Sequence, residues 1–286
     1  MKYIRGFLMA WGCFCWIPCP YKRWNEEDRP AMLAMLPLLG TFLGAISGLV
    51  WLVLNLLQVP AVLTGAVTCG AYFLLTGFIH LDGYMDCCDA VLPRHPDQAR
   101  RREILKDPHV GAFGVIALVL MLLIFAGSVS ALAETNWIGD GGGEEGRIAF
   151  GRAIAVAVAF SVMMTVSRGV AAAAVLTERP METSQYAVMK GKGTLPVVWI
   201  LLVTLAGLAF AWWGLPEIMA VPGDSLKFCV TQVGLTAVAA LSAARIAGAS
   251  DRKALGGMNG DIAGHMIVTG EMFGILVAAI NSAGWA

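Results

Sequence analysis

Three aspartates, Asp82, Asp86 and Asp89, stand in the stretch HLDGYMDCCDA at the close of a long apolar run. Their spacing is i, i+4, i+7. At about 100° per residue, a helix gathers such positions within an arc of roughly 60°. Carboxylates held that close repel one another, and one or more must stay protonated unless a cation intervenes. Mg²⁺ prefers oxygen ligands and keeps some of its waters, so two or three carboxylates and a phosphate complete a natural shell. The chemistry on offer is metal-assisted handling of a phosphate. The plain alternative is a solvated acidic helix end, although helix ends on the cytoplasmic side ordinarily favour Lys and Arg. On a regular helix His80 falls on the opposite face from the acids, as an interfacial histidine or a site residue. Gly83 leaves room for close approach by a ligand or another helix.

A second glycine-flanked patch is GGMNGDIAGHMIVTGE, in which Asn259, Gly260 and Asp261 immediately precede an apolar run. Free N–H groups and the helix dipole at such a position favour an anion. Asp261 reads as an N-cap or as a ligand beside the first cluster. The loop DQARRREILKDPHVGAFG lies between the patches. Its Arg100, Arg101 and Arg102 carry forks suited to phosphate oxygens, but membrane orientation and lipid headgroups explain them better. Lys106 and Asp107, just before the next apolar run, are the stronger site candidates. Arg168 and Glu271 fall inside apolar segments, where charged groups usually face a polar interior. Arg168 either snorkels or holds a phosphate or carboxylate, and Glu271 is protonated or paired.

The elements that must position these groups are membrane helices. Of 286 residues, 58% are hydrophobic and only 14% charged, with zero net charge. Seven stretches, about 32–57, 60–80, 112–132, 153–176, 195–213, 228–246 and 263–283, offer the roughly 20 apolar residues that a span requires. Helices satisfy their own backbone hydrogen bonds, which lipid cannot do. The expected fold is therefore all-α: a polytopic integral membrane helical bundle of about seven transmembrane helices plus an N-terminal interfacial helix, in one domain over residues 1–286. The 33 glycines suit close helix packing in lipid. Residues 60–90 lack an internal proline, which predicts one helix roughly 45 Å long. That exceeds the roughly 30 Å hydrocarbon core, so the last turns would emerge carrying the acids.

The N-terminus, MKYIRGFLMAWGCFCWIPCP, resembles a signal peptide but lacks a small-x-small cleavage site and is interrupted by Pro18 and Pro20. It reads as a retained interfacial segment anchored by Trp11 and Trp16. The seven cysteines do not read as a disulfide framework, and no second pair or His cluster completes a metal site at Cys13, Cys15 and Cys19. Neutral net charge argues against a nucleic-acid partner. With the N-terminus in the cytoplasm, sixteen Lys and Arg fall in inner connections, Lys22, Lys190 and Lys192 among them, and three in outer ones. That puts both acidic patches on the cytoplasmic face of the inner membrane and the C-terminus outside. The outer connections 134–147 and 214–227 read as a flexible connector and a turn-rich loop.

GFIHLDGYMDCCDA, REILKDPHVGAFG and GGMNGDIAGH resemble the signature stretches of the adenosylcobinamide-GDP ribazoletransferase (cobalamin synthase) family. FCWIPCP and PLLGTFLGAISG fit that family's N-terminal pattern, and the resemblance runs from about residue 8 to 275. It implies a Mg²⁺-dependent integral membrane transferase that joins adenosylcobinamide-GDP to α-ribazole, or its 5′-phosphate, and releases GMP. On that reading Asp82, Asp86, Asp89 and Asp261 hold the metal. Asp107 and Asp261 share the options of further ligand and base. His80, Lys106, Arg168, Asn259 and Gly260 contact substrate. Intramembrane prenyltransferases use two Asp-rich loops, and here the second patch has only Asp261. CDP-alcohol phosphotransferases place Gly after Asp-x-x-Asp, where this chain has Ala90. An ion-coupled transporter keeps its site near the midplane on broken helices, whereas these acids are expected at one surface.

Overall fold

A computed structural model describes residues 1–21, 23–136, 143–182, 184, 193–215 and 223–285. Among these the chain forms ten α-helices: α1 (Lys2–Phe14), α2 (Arg29–Leu56), α3 (Ala61–Leu75), α4 (Ile79–Val91), α5 (Gln98–Ile104), α6 (Ala112–Thr135), α7 (Glu144–Thr177), α8 (Thr194–Ala209), α9 (Gly223–Leu255) and α10 (Gly260–Ala283). Lys22, Lys190 and Lys192 of the charge count, and the middles of the two outer connections, lie outside the described residues. Six helices, α2 and α6 to α10, are long and apolar enough to cross a membrane, and α3 with α4 makes a seventh, bent candidate. The protein is a multi-pass membrane protein. Val115, Ile116, Val119, Leu120 and Leu123 of α6 are all exposed, as a lipid-facing stripe should be.

The bundle is built around α7, which packs against α2, α8, α9 and α10. Its tightest seam is with α2, where Gly40, Gly44 and Gly48 recur every fourth residue. A Cβ at these positions would stand 2.4 Å from Met164 O, 2.5 Å from Ser161 Cα and 2.5 Å from Ala157 O, respectively. Lipid supplies no hydrophobic drive between helices, so backbone-to-backbone van der Waals contact of this kind has to supply it. Helix α1 lies along the start of α2. Arg5 Nε donates to Asp28 at 2.6 Å, and Trp11 Nε1 donates to the Ile17 carbonyl at 2.9 Å, while Trp16 is exposed.

Residues 60–90 are not one helix. Helix α3 stops at Leu75, and α4 departs at 94°. Gly77 (φ +61°) occupies the left-handed region, Gly77 N–H bonds Leu74 O at 2.9 Å, and Phe78 N–H reaches back to Phe73 O at 3.2 Å. This is a Schellman ending, in which a left-handed glycine lets two N–H groups satisfy the last carbonyls. A third carbonyl, Leu75 O, accepts from Trp16 N at 2.8 Å, so the N-terminal segment seals the break. Phe78 (φ +61°) then becomes the N-cap residue of α4, its carbonyl accepting from Leu81 N and Asp82 N.

Alternating passage places the starts of α2, α6 and α10 and the ends of α7 and α9 at the same end of the bundle. All of the polar contacts that build the site are made at that end.

Candidate active site

Helices α4 and α10 meet through glycine. A Cβ on Gly83 would lie 2.9 Å from Asp261 Cα, and one on Gly264 would lie 3.0 Å from His80 O. This contact brings the two acidic patches together. Asp86 lies within electrostatic reach of Asp82, Asp261 and Asp89 at once. Asp261 is presented by its neighbour: Asn259 Oδ1 accepts from Ile262 N at 3.0 Å as the N-cap of α10, and Asn259 Nδ2 donates to Asp261 Oδ2 at 2.6 Å. Asn259, not Asp261, is thus the cap. The glycine-rich turn before it is held by pairing with the segment that follows α7, Met181 N to Met258 O and Met258 N to Arg179 O, both at 2.9 Å.

Asp89 faces a different partner from the other acids. Its Oδ2 accepts from Gly111 N and its Oδ1 from Gly114 N, both at 2.8 Å, so it caps the start of α6. A Cβ at Gly111 would sit 2.3 Å from Asp89 Oδ1, and one at Gly114 2.4 Å from Asp89 Oδ2. The Gly-x-x-Gly of the loop is therefore the seat of Asp89. Each oxygen retains a second lone pair.

Helices α2, α4, α7 and α10 enclose a cavity of about 150 Å³, with Asp82, Asp261, Gly260 and His80 in its wall and Asp89 outside it. His80 was expected on the far side of the helix from the acids. It shares a cavity with Asp82 and Asp261, though not with Asp86 or Asp89, because that cavity wraps the first turn of α4. The His80 ring stacks on Phe14 at 5.7 Å between centroids and is only 7% exposed, yet neither ring nitrogen has a partner. A buried, unpartnered imidazole in the wall of an acid-lined cavity is what a hydrogen-bonding ligand would satisfy.

The loop between the patches divides in two. Arg101 Nη1 donates to Ala254 O at 3.3 Å and Arg102 Nε to Leu255 O at 2.6 Å, so these arginines cap the end of α9. Arg100 pairs with Glu103 on the surface. Lys106 is exposed, and Asp107 is exposed and accepts from His109 N at 3.0 Å. That backbone bond, with the His109 ring 2.7 Å away, holds the Asp107 carboxyl below the ordinary carboxylate range. Neither Lys106 nor Asp107 is in the cavity wall.

Arg168 is fully buried and neither snorkels nor reaches the cavity wall. It pairs with Glu271 of α10, whose Oε1 also accepts from Ser167 Oγ at 2.7 Å. Arg168 Nε and Nη2 remain unpartnered within the bundle. His80 and Cys15 both feel the Arg168 charge.

Residues 6–279 match the family model described as cobalamin-5-phosphate synthase. The chain belongs to that family. It is similar to proteins named adenosylcobinamide-GDP ribazoletransferase from Clostridium perfringens strain ATCC 13124 (31% identical, covering 97% of this chain and 98% of the relative) and from Clostridium botulinum strain Alaska E43 (28%, covering 96% and 97%). A relative of the same name from Lachnoclostridium phytofermentans is 28% identical, covering 98% and 95%. No solved structure matches. As a cobalamin-5-phosphate synthase family member, the chain is a multi-span membrane transferase of cobalamin biosynthesis.

Some contacts in and around the candidate site of this cobalamin-5-phosphate synthase family member are absent from its sequence pattern. Nothing in the spacing couples Phe14 to His80, which are 66 residues apart and meet only because α1 folds onto the bundle. The cluster of Cys87, Asp251 and His265 likewise joins α4 to the two last helices, more than 160 residues away in sequence. The seating of Asp89 had a signal, the paired glycines, whose purpose needed a partner to become visible.

Proposed function

We propose that the chain joins adenosylcobinamide-GDP to α-ribazole, or its 5′-phosphate, with release of GMP, at a Mg²⁺ site on the cytoplasmic face of the inner membrane. Family membership supports the reaction. The meeting of Asp82 and Asp261 in the wall of one cavity, with Asp86 one turn further along α4, is the observation that carries the site. An all-oxygen donor set fits a hard divalent cation, and the crowding of Asp86 by Asp82, Asp89 and Asp261 favours one. Asp82, Asp86 and Asp261 would hold the ion directly, and Asp89 would join through its free lone pairs while anchoring α6. When bound, Mg²⁺ would neutralise diphosphate oxygens and favour departure of the GMP phosphate.

The remaining roles belong to side chains. The attacking ribazole hydroxyl forms an O–P bond to the phosphorus attached to cobinamide, the bridging P–O bond to GMP breaks, and a carboxylate of the set accepts the hydroxyl proton. His80 offers a ring nitrogen to the substrate from the cavity wall. Gly260 and the first N–H groups of α10 favour an anion there. Lys106 and Asp107 guide substrates on the exposed rim of the loop. Arg168, held by Glu271, acts as buried positive charge beneath the cavity, offsetting charge that develops above it. Membrane lipid surrounds the apolar faces.

Purified protein in lipid, supplied with adenosylcobinamide-GDP, α-ribazole and Mg²⁺, should release GMP, and a chelator should stop it. Asp82→Asn and Asp86→Asn should each abolish turnover while inserting normally. Near-normal rates in both would refute the metal role, and absence of GMP with native protein would refute the reaction.

A further inference from the structure

We infer that Cys87, Asp251 and His265 form a transition-metal site of the zinc class, distinct from the carboxylate set at the neighbouring cavity. The three residues come from α4, α9 and α10, and their candidate ligand atoms all lie within 4.8 Å of one another. A tetrahedral zinc ion, with bonds of about 2.0–2.3 Å, sets its ligand atoms roughly 3.3–3.8 Å apart, so binding would adjust all three side chains. His265 Nδ1 and Asp251 Oδ2 are now hydrogen-bonded at 2.5 Å, and an ion between them would replace that bond and spread the two atoms.

The donor types set this cluster apart. Thiolate and imidazole select zinc-like cations, whereas Mg²⁺ seeks oxygens alone. Cys87 directly follows Asp86, but successive helical residues point about 100° apart, so one strand of sequence serves two different faces. Cys87 and Asp251 are 0% and 1% exposed. A carboxylate buried to that degree is expensive unless compensated, and a divalent ion compensates it more fully than a single imidazole. The Tyr84 ring lies 5.2 Å from the His265 ring and helps to fix it.

The cluster also has room for exchangeable ligation. It opens on a cavity of about 560 Å³ between α4, α9 and α10, walled mostly by apolar residues such as Ile246, Phe273 and Val277, with Ser242, Ser250 and Thr269 among them. Cys88 lies on the same wall and interacts with His265, so water or a second sulfur can fill the fourth position. On binding, Cys87 releases its thiol proton to solvent and His265 binds as a neutral ring. The ion then clips α4 to α9 and α10 on a different face of α4 from Asp86.

The test uses the full chain in detergent, with Cys13, Cys15 and Cys19 changed to Ser, stripped by chelator and titrated with Co²⁺ in excess Mg²⁺. The expected result is thiolate-to-cobalt charge-transfer absorption that saturates at one ion per chain and is erased by equimolar Zn²⁺. Cys87→Ser, which nearly keeps the side-chain volume, and His265→Ala should each abolish it, while Asp82→Asn should leave it intact. Monodisperse elution certifies each variant as folded. Absence of the absorption in the parent protein would overturn the site, as would its survival in a folded Cys87→Ser or His265→Ala chain.

Discussion

Gly83 of α4 and Asp261 of α10 sit backbone against backbone, with only 2.9 Å between a Cβ built at 83 and the Asp261 Cα. Two acidic patches more than 170 residues apart share a cavity because that one position has no side chain. Gly83→Ala should therefore push the helices apart. Overpacking costs about 1–3 kcal/mol, and displaced carboxylates should lower turnover far more than they lower stability. Thermal unfolding and GMP release measured on the same preparation would check this. Equal, small losses in both would show that the seam is packing alone.

Asp89 should behave differently from Asp82. Asp89→Ala deletes both acceptors for Gly111 and Gly114 and should destabilise the start of α6 by about 1–3 kcal/mol. Asp89→Asn keeps one acceptor and should recover part of that loss. Gly114→Ala should reproduce the Asp89→Ala defect from the other side, since its methyl would overlap Asp89 Oδ2. Denaturant unfolding of the three variants in detergent tests the equivalence.

The Arg168–Glu271 pair predicts an asymmetric pattern. Glu271→Gln leaves a guanidinium uncompensated inside the bundle and should cost about 3–5 kcal/mol. Arg168→Met combined with Glu271→Leu removes both charges and should be much less destabilising than either single change. If the double variant unfolds as readily as Glu271→Gln, the pair is not the source of the loss. Turnover of the folded double variant would then report what the buried charge contributes to catalysis.

Orientation can be read at position 97, which is exposed in the connection between α4 and α5. With Cys13 removed, Asp97→Cys should react with a membrane-impermeant thiol reagent in inverted vesicles and not in intact cells. Labelling from outside only would reverse the proposed topology and move the site to the other face.

The helical class and the spans were legible because roughly 20 apolar residues in a row have few other uses in a protein. The acidic stripe was legible because a helix repeats on a known period, and α4 does carry Asp82, Asp86 and Asp89. The break before it was not. Gly77 is one glycine in an apolar run, and such a glycine is usually tolerated inside a helix. Only the left-handed φ at Gly77 and the carbonyl of Leu75 given to Trp16 reveal a terminus. Helix-to-helix pairings were similarly hidden. Arg168 and Glu271 could each be recognised as costly in lipid, but their mutual distance depends on how α7 meets α10.

The right-angle turn at Thr76–Phe78 has one more effect. From Asp82 to Asp89 a helix rises about 10 Å. Had α4 continued along α3, those carboxylates would occupy steps of a ladder, each in a different dielectric. Turned through 94°, they lie at a common level when measured along α3. The acids thus form a ledge and not a shaft, and on the function proposed above an extended diphosphate would be laid along it sideways.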